Sequence, residues 1–380
     1  MSASFDERQG NRPPGAAWRA EVARAQERAL PAGRVVVSCA ASPGVAGLGR
    51  HVQEIVDALE RRGEPSVCIS RSTAERAAAP LARSRVPGRS IQFRALGRFS
   101  STWRIRRSWA EFDAYAAGQL PAGDHLITFC GQALAQFRRA REMQYESIAL
   151  VSGGVHARHL ARQHAAAHRR YPLERSHAGH ISKRHLLEYA QAERIYVASR
   201  YIWESFAEEG IPEELLVRFP LTPDPRFGSD GASPRSSATF DIVYVGGLSV
   251  AKGVPLLVDA VRGLPEAEVR LVLVGGWKSR GMRRFIERAC AEDPRISVAP
   301  GDPLPHLRRA RLYVHPSYVD GFSYGAAEAL ACGVPVIASE DTGMKELIEP
   351  GRTGLVLPTG DLAALTEGIE AAYRGEVLGG

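Results

Sequence analysis

At 380 residues the chain is long enough for two domains, each able to bury a sizeable apolar core. Hydrophobic residues make up 44% and charged residues 24%, and no apolar run approaches the roughly 20 residues that span a bilayer, which excludes an integral helical membrane protein. The net charge of +7 is uneven, since residues 1–240 hold 34 Lys and Arg against 24 Asp and Glu, whereas residues 241–380 hold 15 against 18.

The basic first part predicts an anionic partner, either a phosphorylated substrate or an acidic lipid surface, although a solvated arginine-rich face explains the charge equally well. Nucleic acid is disfavoured because no zinc, RNP-like or helix-turn-helix signature accompanies the charge. Residues 1–30 mix acidic and basic side chains without an apolar core, which fits neither a secretory signal nor a transit peptide. We therefore expect a cytoplasmic protein, with peripheral contact at the inner membrane face as the alternative.

The first part of the chain alternates short apolar runs with segments of helical period. After an N-terminal extension at 1–33, strands are predicted at 34–42, 125–130 and 147–152, and a helix ended by glycine at 47–63. This alternation predicts a Rossmann-like parallel sheet with crossover helices over residues 34–221. The following segment, 222–240, is rich in Pro, Ser and Gly and is predicted to be a linker.

The same alternation returns in residues 241–380 and predicts a second doubly wound α/β domain. Its predicted strands are 241–247, 269–276, 296–299, 312–317 and 334–339, and its predicted helices are 252–263, 280–292, 303–310 and 324–333. Two such domains facing each other would leave a cleft at the carboxyl ends of their strands, where open parallel sheets bind ligands.

The first candidate site is the strand-to-helix turn of this second domain. A strand runs into Gly246 and Gly247, and a helix opens near Lys252 and Gly253. Backbone N–H groups at a helix start attract phosphate oxygens, and a lysine beside them adds a full positive charge. The motif predicts a phosphate site, but such turns are also common packing solutions and such lysines are often solvated.

The second candidate site is the turn at 320–323, which enters the next helix. The amides of residues 322–325 are predicted to be helix-start donors that can hold a diphosphate. Glu328, about one turn into the helix, can accept hydrogen bonds from the vicinal diol of a ribose, while Asp320 can reach hydroxyls of a sugar ring. The alternative is an acid that favours the helix dipole together with an exposed glutamate.

These residues carry a family resemblance. The stretches "YVGGLSVAKGVPLLVDAV" and "HPSYVDGFSYGAAEALACGVPVIAS" resemble the C-terminal domain of glycosyltransferase family 4, the retaining sugar transferases of GT-B fold (glycosyl transferases group 1). The likeness extends over about 120 residues there. The stretch "SPGVAGLGRHVQEIVDALERRG" is more loosely similar to the family's glycine-rich loop and first helix.

The resemblance implies the site residues one by one. Lys252 matches the phosphate-binding lysine, Glu328 the glutamate that binds ribose, and Asp320 the first acid of a carboxylate pair that contacts the transferred sugar. His156 matches an active-site histidine, although His159 is an alternative for that place. The other positions implied to face donor or acceptor are Gly44, Gly47, Gly49, Gly246, Gly247, Gly321, Phe322, Ser323 and Tyr324.

The chain departs from the family pattern in two places. The family usually has Glu where this chain has Asp320, and often has Arg where this chain has Gly247. Asp is one methylene shorter than Glu, and Gly247 removes one phosphate-binding cation. These departures motivate an alternative function, a catalytically impaired GT-B protein that binds a sugar nucleotide or partners another transferase.

The implied reaction is transfer of a hexosyl unit from a UDP- or GDP-linked sugar to an acceptor hydroxyl, with retained anomeric configuration and no metal. The resemblance implies a role in the synthesis of a glycan, a glycolipid or a glycosylated metabolite, and leaves the acceptor open. A zinc site among the histidines is disfavoured, because only alanines separate His164 from His168 where a zinc hydrolase carries a glutamate. A dehydrogenase is disfavoured because neither glycine turn has a full G-x-G-x-x-G followed by an acidic ribose ligand.

Overall fold

In this computed structural model the described residues are 15–70, 82–83, 101–176, 178–228 and 239–376. They form two compact units. The amino-terminal unit contains residues 22–161 and 178–221, and the carboxy-terminal unit contains residues 15–21, 162–176 and 222–376. The contiguous ranges predicted from the sequence do not anticipate that residues 162–176 group with the carboxy-terminal unit.

The amino-terminal unit is built on a seven-stranded parallel sheet of order β3-β2-β1-β4-β5-β6-β7. Its strands are β1 Val35–Cys39, β2 Ser66–Ser70, β3 Ala82–Arg83, β4 His125–Phe129, β5 Ser147–Ser152, β6 Arg194–Val197 and β7 Leu216–Arg218. The helices of this part of the chain are α1 Ala16–Ala29, α2 Ala46–Arg61, α3 Ser101–Gly118, α4 Leu134–Glu142, α5 Ala157–Arg170, α6 Ala178–Tyr189 and α7 Arg200–Ala207. Every residue of β1 and β4 is buried, as expected for a sheet covered on both faces.

The carboxy-terminal unit is built on a six-stranded parallel sheet of order β10-β9-β8-β11-β12-β13. Its strands are β8 Phe240–Val245, β9 Val269–Val274, β10 Ile296–Val298, β11 Leu312–His315, β12 Val336–Ser339 and β13 Gly354–Leu357. Its helices are α8 Val254–Gly263, α9 Arg280–Glu292, α10 Leu304–Arg309, α11 Tyr324–Ala331 and α12 Leu362–Arg374.

The predicted fold class, two Rossmann-like α/β sheets, is confirmed. The strands and helices predicted in residues 241–380 all form, with ends shifted by a few residues. Strand β13 and helix α12 were not predicted. The core of this unit includes Tyr171 and Leu173, which pack against the apolar side chains of α8 and its neighbours. None of the five cysteines, all of which lie in the described part of the chain, forms a disulfide.

Candidate functional site

The candidate site lies where the chain order of the carboxy-terminal sheet reverses. From β8 the chain builds outward through β9 and β10 on one side, and then returns to place β11 on the other side. The loops that leave the carboxyl ends of β8 and β11 therefore meet between two adjacent strands. In open parallel sheets such switch points are the usual ligand sites.

The loop from β8 to α8 depends on a glycine for its shape. Gly253, which precedes α8, has a left-handed φ of +68°, and a Cβ atom there would lie 1.8 Å from the carbonyl oxygen of Pro316. Only glycine allows this close approach of the two loops. At the start of the same loop, the Tyr244 hydroxyl donates to the Gly247 carbonyl at 3.1 Å.

Hydrogen bonds join this loop to the one that follows β11. The Tyr318 amide donates to the Ala251 carbonyl at 2.9 Å, and the Ser317 hydroxyl lies 3.3 Å from the same oxygen. These contacts fix Lys252 beside the second loop. They bring together Lys252 and Asp320, which are 68 positions apart in the sequence.

Asp320 is the centre of a charged cluster. Its Oδ2 atom lies 2.6 Å from Lys252 Nζ and 3.0 Å from His315 Nε2. Burial by itself would raise the pKa of Asp320, but the Lys252 ammonium and the hydrogen bond from His315 outweigh it, so the pKa lies well below its usual range. The carboxylate is therefore ionised at neutral pH and accepts hydrogen bonds.

His315 was not predicted as a site residue, because it reads as the last residue of a buried strand. An ionised carboxylate only accepts hydrogen bonds, so the proton must be on Nε2 of His315. Its Nδ1 atom is buried and, within the described part of the chain, has no hydrogen-bond partner. A buried apolar strand that ends in a histidine just before the turn was the available signal.

Helix α11 brings the second carboxylate to this site. Its first turn packs closely on β11 and β8, since a Cβ atom on Gly325 would lie 2.7 Å from the Tyr313 hydroxyl of β11 and 3.0 Å from the Val245 carbonyl oxygen of β8. Ser323 caps the helix, accepting a hydrogen bond from the Ala326 amide at 3.3 Å. Glu328 is only 4% exposed, so the alternative of an exposed glutamate is wrong.

The other residues of the turn lie around this helix start. Gly321 is buried and follows Asp320, whose backbone pairs with the loop after β12 through the amide of Gly343 at 2.9 Å. The rings of Phe322 and Tyr324 contact each other edge to face, with centroids 5.3 Å apart. The structure thus places residues 320–324 together with Lys252 in one unit.

Glu174, which was not predicted as a site residue, supports the loop from β8 to α8. Its Oε1 atom accepts a hydrogen bond from the Val250 amide at 2.8 Å, two residues before Lys252. Nearby, the Tyr171 hydroxyl donates to Asp259 of α8 at 2.7 Å. Residues 162–176 therefore brace the loop that carries the lysine, which no pattern in the sequence indicated.

His156 lies in the amino-terminal unit, after β5. It is 2% exposed, its ring packs between Tyr189 and Phe206 with centroids 4.9 and 5.2 Å away, and its amide donates to the Ser205 hydroxyl. Its Nδ1 atom is 3.9 Å from Glu209 Oε2. His159 instead contacts the Tyr201 hydroxyl at 3.0 Å.

The glycine loop of this unit connects β1 to α2. Gly44 has a left-handed φ of +73° and its amide donates to the Gly49 carbonyl at 2.9 Å. A Cβ atom on Gly49 would lie 2.0 Å from the Ser42 carbonyl oxygen. Gly47 lies in the first turn of α2, between the exposed side chains of Val45 and Leu48.

The described part of the chain also bears on the metal-binding and membrane alternatives. No group of three or more His, Cys, Asp and Glu side chains in that part of the chain is arranged to hold a metal ion. His168 instead uses its Nδ1 atom to contact the His164 carbonyl at 2.7 Å. None of the described helices combines the length and apolar character needed to cross a bilayer.

Two Rossmann-like domains, each built on a parallel sheet covered by helices, form the GT-B fold. In this chain the candidate site lies where the strand order of the second sheet reverses. Solved structures share this fold: sucrose-phosphate synthase from Thermosynechococcus elongatus superposes with a TM-score of 0.62 at 19% identity, covering 90% of both chains. HepE from Anabaena, solved in complex with UDP-glucose, superposes with a TM-score of 0.60 at 15% identity, again over 90% of both chains. At these identities the likeness concerns the fold.

The match to a family model lies in the carboxy-terminal unit. Residues 239–374 match the family model described as glycosyl transferases group 1. The O-antigen chain mannosyltransferase B of Escherichia coli is 33% identical over 135 residues, which is 33% of this chain and 35% of the mannosyltransferase. The alignments with the first curated relatives thus span about a third of the length of those relatives, and the family-model match contains Lys252, Asp320 and Glu328.

Proposed function

We propose that this protein is a retaining hexosyltransferase that moves a sugar from a nucleoside-diphosphate donor to an acceptor hydroxyl. The observation that carries the proposal is the cluster of Lys252, Asp320 and His315 at the switch point, beside the start of α11. The group 1 family match over the same residues supports it. So does the UDP-glucose complex of HepE, a protein of the same fold.

In the proposed reaction the bond between the anomeric carbon and the diphosphate oxygen breaks, the acceptor oxygen bonds to that carbon on the same face, and the acceptor proton passes to the leaving diphosphate. Negative charge therefore grows on the leaving group while positive charge develops on the ring. The Lys252 ammonium and the amides at the start of α11 stabilise that negative charge. Asp320, ionised because Lys252 and His315 hold its pKa low, accepts hydrogen bonds from sugar hydroxyls. Glu328, in the same helix, accepts hydrogen bonds from the ribose diol.

We further propose that no metal is required and that the configuration is retained. One ammonium and a helix start can replace a divalent cation at a diphosphate, because both act as fixed positive charge in a partly buried site. His156 is assigned to the sugar and the loop of Gly44, Gly47 and Gly49 to the phosphate or the acceptor. Glycan, glycolipid or metabolite glycosylation at the cytoplasmic side of a membrane is the proposed setting.

The proposal is tested by incubating the protein with UDP-, GDP- and ADP-linked sugars in the presence of EDTA. A thermal-shift screen first selects the donor, because a ligand stabilises the native state in proportion to its affinity and concentration. Release of the nucleoside diphosphate from that donor in EDTA is expected. Strict dependence on added Mg²⁺ or Mn²⁺ would contradict the metal-free scheme, and NMR of the product anomer tests retention.

The alternative is a catalytically impaired protein that binds a sugar nucleotide. The short ion pair of Lys252 with Asp320 favours it, since both groups are already satisfied by each other. Stabilisation by a sugar nucleotide without hydrolysis or transfer to any acceptor would support this alternative.

A further inference from the structure

The charge available to a diphosphate is limited by the ion pair of the candidate site. Lys252 Nζ lies 2.6 Å from Asp320 Oδ2, so these two charges largely cancel. A nucleoside diphosphate that carries a sugar has two ionised phosphate groups. Lys252 is therefore shared between the carboxylate and the ligand, and a second cation at the same edge of the sheet would add to the positive charge that Lys252 and the helix start supply.

A second lysine is held at this edge by the loop that follows β9. Beyond the two strands, the loops after β8 and β9 continue as a parallel pair, in which the Leu248 amide donates to Gly276 at 3.0 Å and the Lys278 amide donates to Leu248 at 3.3 Å. A Cβ atom on Gly275 would lie 1.7 Å from the Gly246 carbonyl oxygen, which shows how closely the two backbones approach. The backbone of Lys278 is thus fixed beside the glycine turn.

The side chain of Lys278 folds over that turn. A Cβ atom built on Gly247 would lie 2.3 Å from Lys278 Cε and 3.3 Å from Lys278 Nζ. The end of the Lys278 side chain therefore occupies the space that a side chain at position 247 would fill, and it carries the ammonium over the glycine turn. No carboxylate in the described part of the chain forms an ion pair with Lys278, in contrast to Lys252.

The distribution of lysine in the sequence agrees with a special use of this residue. Only four of the 49 basic Lys and Arg residues are lysine, namely Lys183, Lys252, Lys278 and Lys345. Two of the four lie at one glycine turn. An ammonium on a flexible stem can follow a phosphate as a point charge, whereas 45 of the 49 basic residues carry the planar guanidinium of arginine.

We propose that Lys278 is the second cation of the donor site and binds the diphosphate of the sugar nucleotide across Gly246 and Gly247. This inference rests on the proposed function. In the proposed complex, Lys252 contacts the diphosphate on the side of Asp320, and Lys278 contacts it on the side of β9. Gly247 has no side chain, and this absence provides the room that Lys278 uses.

The experiment measures binding of UDP, GDP and ADP to the full chain by calorimetry and then repeats it with Lys278→Met. For the nucleoside diphosphate that binds best, Lys278→Met is expected to weaken binding about 10-fold, and Lys278→Arg to weaken it less. The free nucleoside, measured by competition, should lose less than about 2-fold, because it has no phosphate for Lys278 to contact. A merely structural role would weaken both ligands alike.

Lys183→Met is the matched control, since it removes the same charge from an exposed position in the amino-terminal unit. If the unmodified protein binds none of the three nucleoside diphosphates, the proposed function itself fails. If it binds one and Lys278→Met binds as tightly, or loses no more than Lys183→Met, the role of Lys278 is overturned. Circular dichroism of each variant confirms that it is folded.

Discussion

The two glycine loops of this protein share a backbone design and differ in their chemistry. The loop from β1 to α2 and the loop from β8 to α8 both contain a left-handed glycine, Gly44 and Gly253. Each is also contacted by a glycine that approaches a carbonyl oxygen too closely for a Cβ atom, Gly49 near the start of α2 for the first loop and Gly253 itself for the second. Their side chains are opposite in character, since the first exposes Val45 and the second presents Lys252.

The carbonyl that each glycine approaches explains part of this difference. Gly49 of α2 approaches Ser42 of the loop just before it, so the first loop is closed against its own helix. Gly253 approaches Pro316, which follows β11, so the second loop is joined to a loop of the neighbouring strand. A strand-glycine-helix turn thus specifies a local shape, whereas the charged cluster also requires the neighbouring loop, which supplies Asp320 to Lys252.

Replacing Lys252 by methionine should have the largest effect. The variant keeps most of the side-chain volume but removes the ammonium beside Asp320, and turnover of the donor should fall about 100- to 1,000-fold. Initial rates at saturating donor measure the effect. Lys183→Met is the control and should retain activity. If the Lys252→Met enzyme kept a rate within about 3-fold of the unmodified protein, Lys252 would not stabilise the leaving diphosphate.

Replacing the closely packed glycine at either loop by alanine should destabilise the protein to a similar extent. Gly253→Ala adds a Cβ atom 1.8 Å from the Pro316 oxygen at a left-handed φ, and should lower the free energy of unfolding by about 3 kcal/mol. Gly49→Ala should destabilise comparably. Gly276→Ala is the control, because nothing lies within 4 Å of its Cβ position. Urea denaturation measures all three, and equal stability of Gly253→Ala and Gly276→Ala would refute the packing argument.

The amino-terminal unit should be the more sensitive to acid, because of the buried histidine of α2. Burial lowers the pKa of His51 from 6.5 to about 3, and its ring lies against Phe129 and Phe219. Since the unfolded chain binds the proton and the native chain does not, stability is lost as pH falls from 6.5 toward 3. This one group should cost about 2 kcal/mol at pH 5.

His51→Phe should remove that part of the acid sensitivity. The free energy of unfolding, measured in urea at pH 8 and pH 5, should fall less for the variant than for the unmodified protein. The pH 8 measurement is the internal control, because His51 is neutral in both states there. An unchanged difference between the two pH values would show that His51 does not carry the effect.

Glu328 should have the smallest effect of the four, confined to the sugar of the nucleotide. Glu328→Gln should weaken binding of the preferred nucleoside diphosphate about 10-fold, because a charged acceptor of ribose hydroxyls becomes neutral. The 2′-deoxy form of the ligand should bind both proteins with nearly equal affinity. If Glu328→Gln lost the same affinity for the ribose and the deoxyribose ligand, Glu328 would not contact the 2′-hydroxyl.

The elements of the carboxy-terminal unit were accessible from the sequence because buried parallel strands are short continuous apolar runs. The prediction of 280–292 as a helix agrees with α9 at both ends, since its apolar positions recur with helical period and Ser279 caps it. The family resemblance then identified Lys252, Asp320 and Glu328 as candidates. The functions of these residues stay predictions.

Other contributors were invisible for a physical reason. Glu174 reaches Val250 from a segment that the sequence assigns to the other half of the chain, and Lys278 reaches Gly247 only because two loops run side by side. Neither contact can be recognised in the local sequence, because neither residue is part of a hydrophobic repeat or of a helix-capping motif.

The sequence by itself determined the two α/β sheets, the glycine turns and the candidate carboxylates, because hydrophobic period and glycine spacing act over a few residues. The tertiary structure alone decided that Asp320 is held ionised by Lys252 and His315. That state depends on distances between atoms of two adjacent loops, and such distances are set by the order of strands in the sheet.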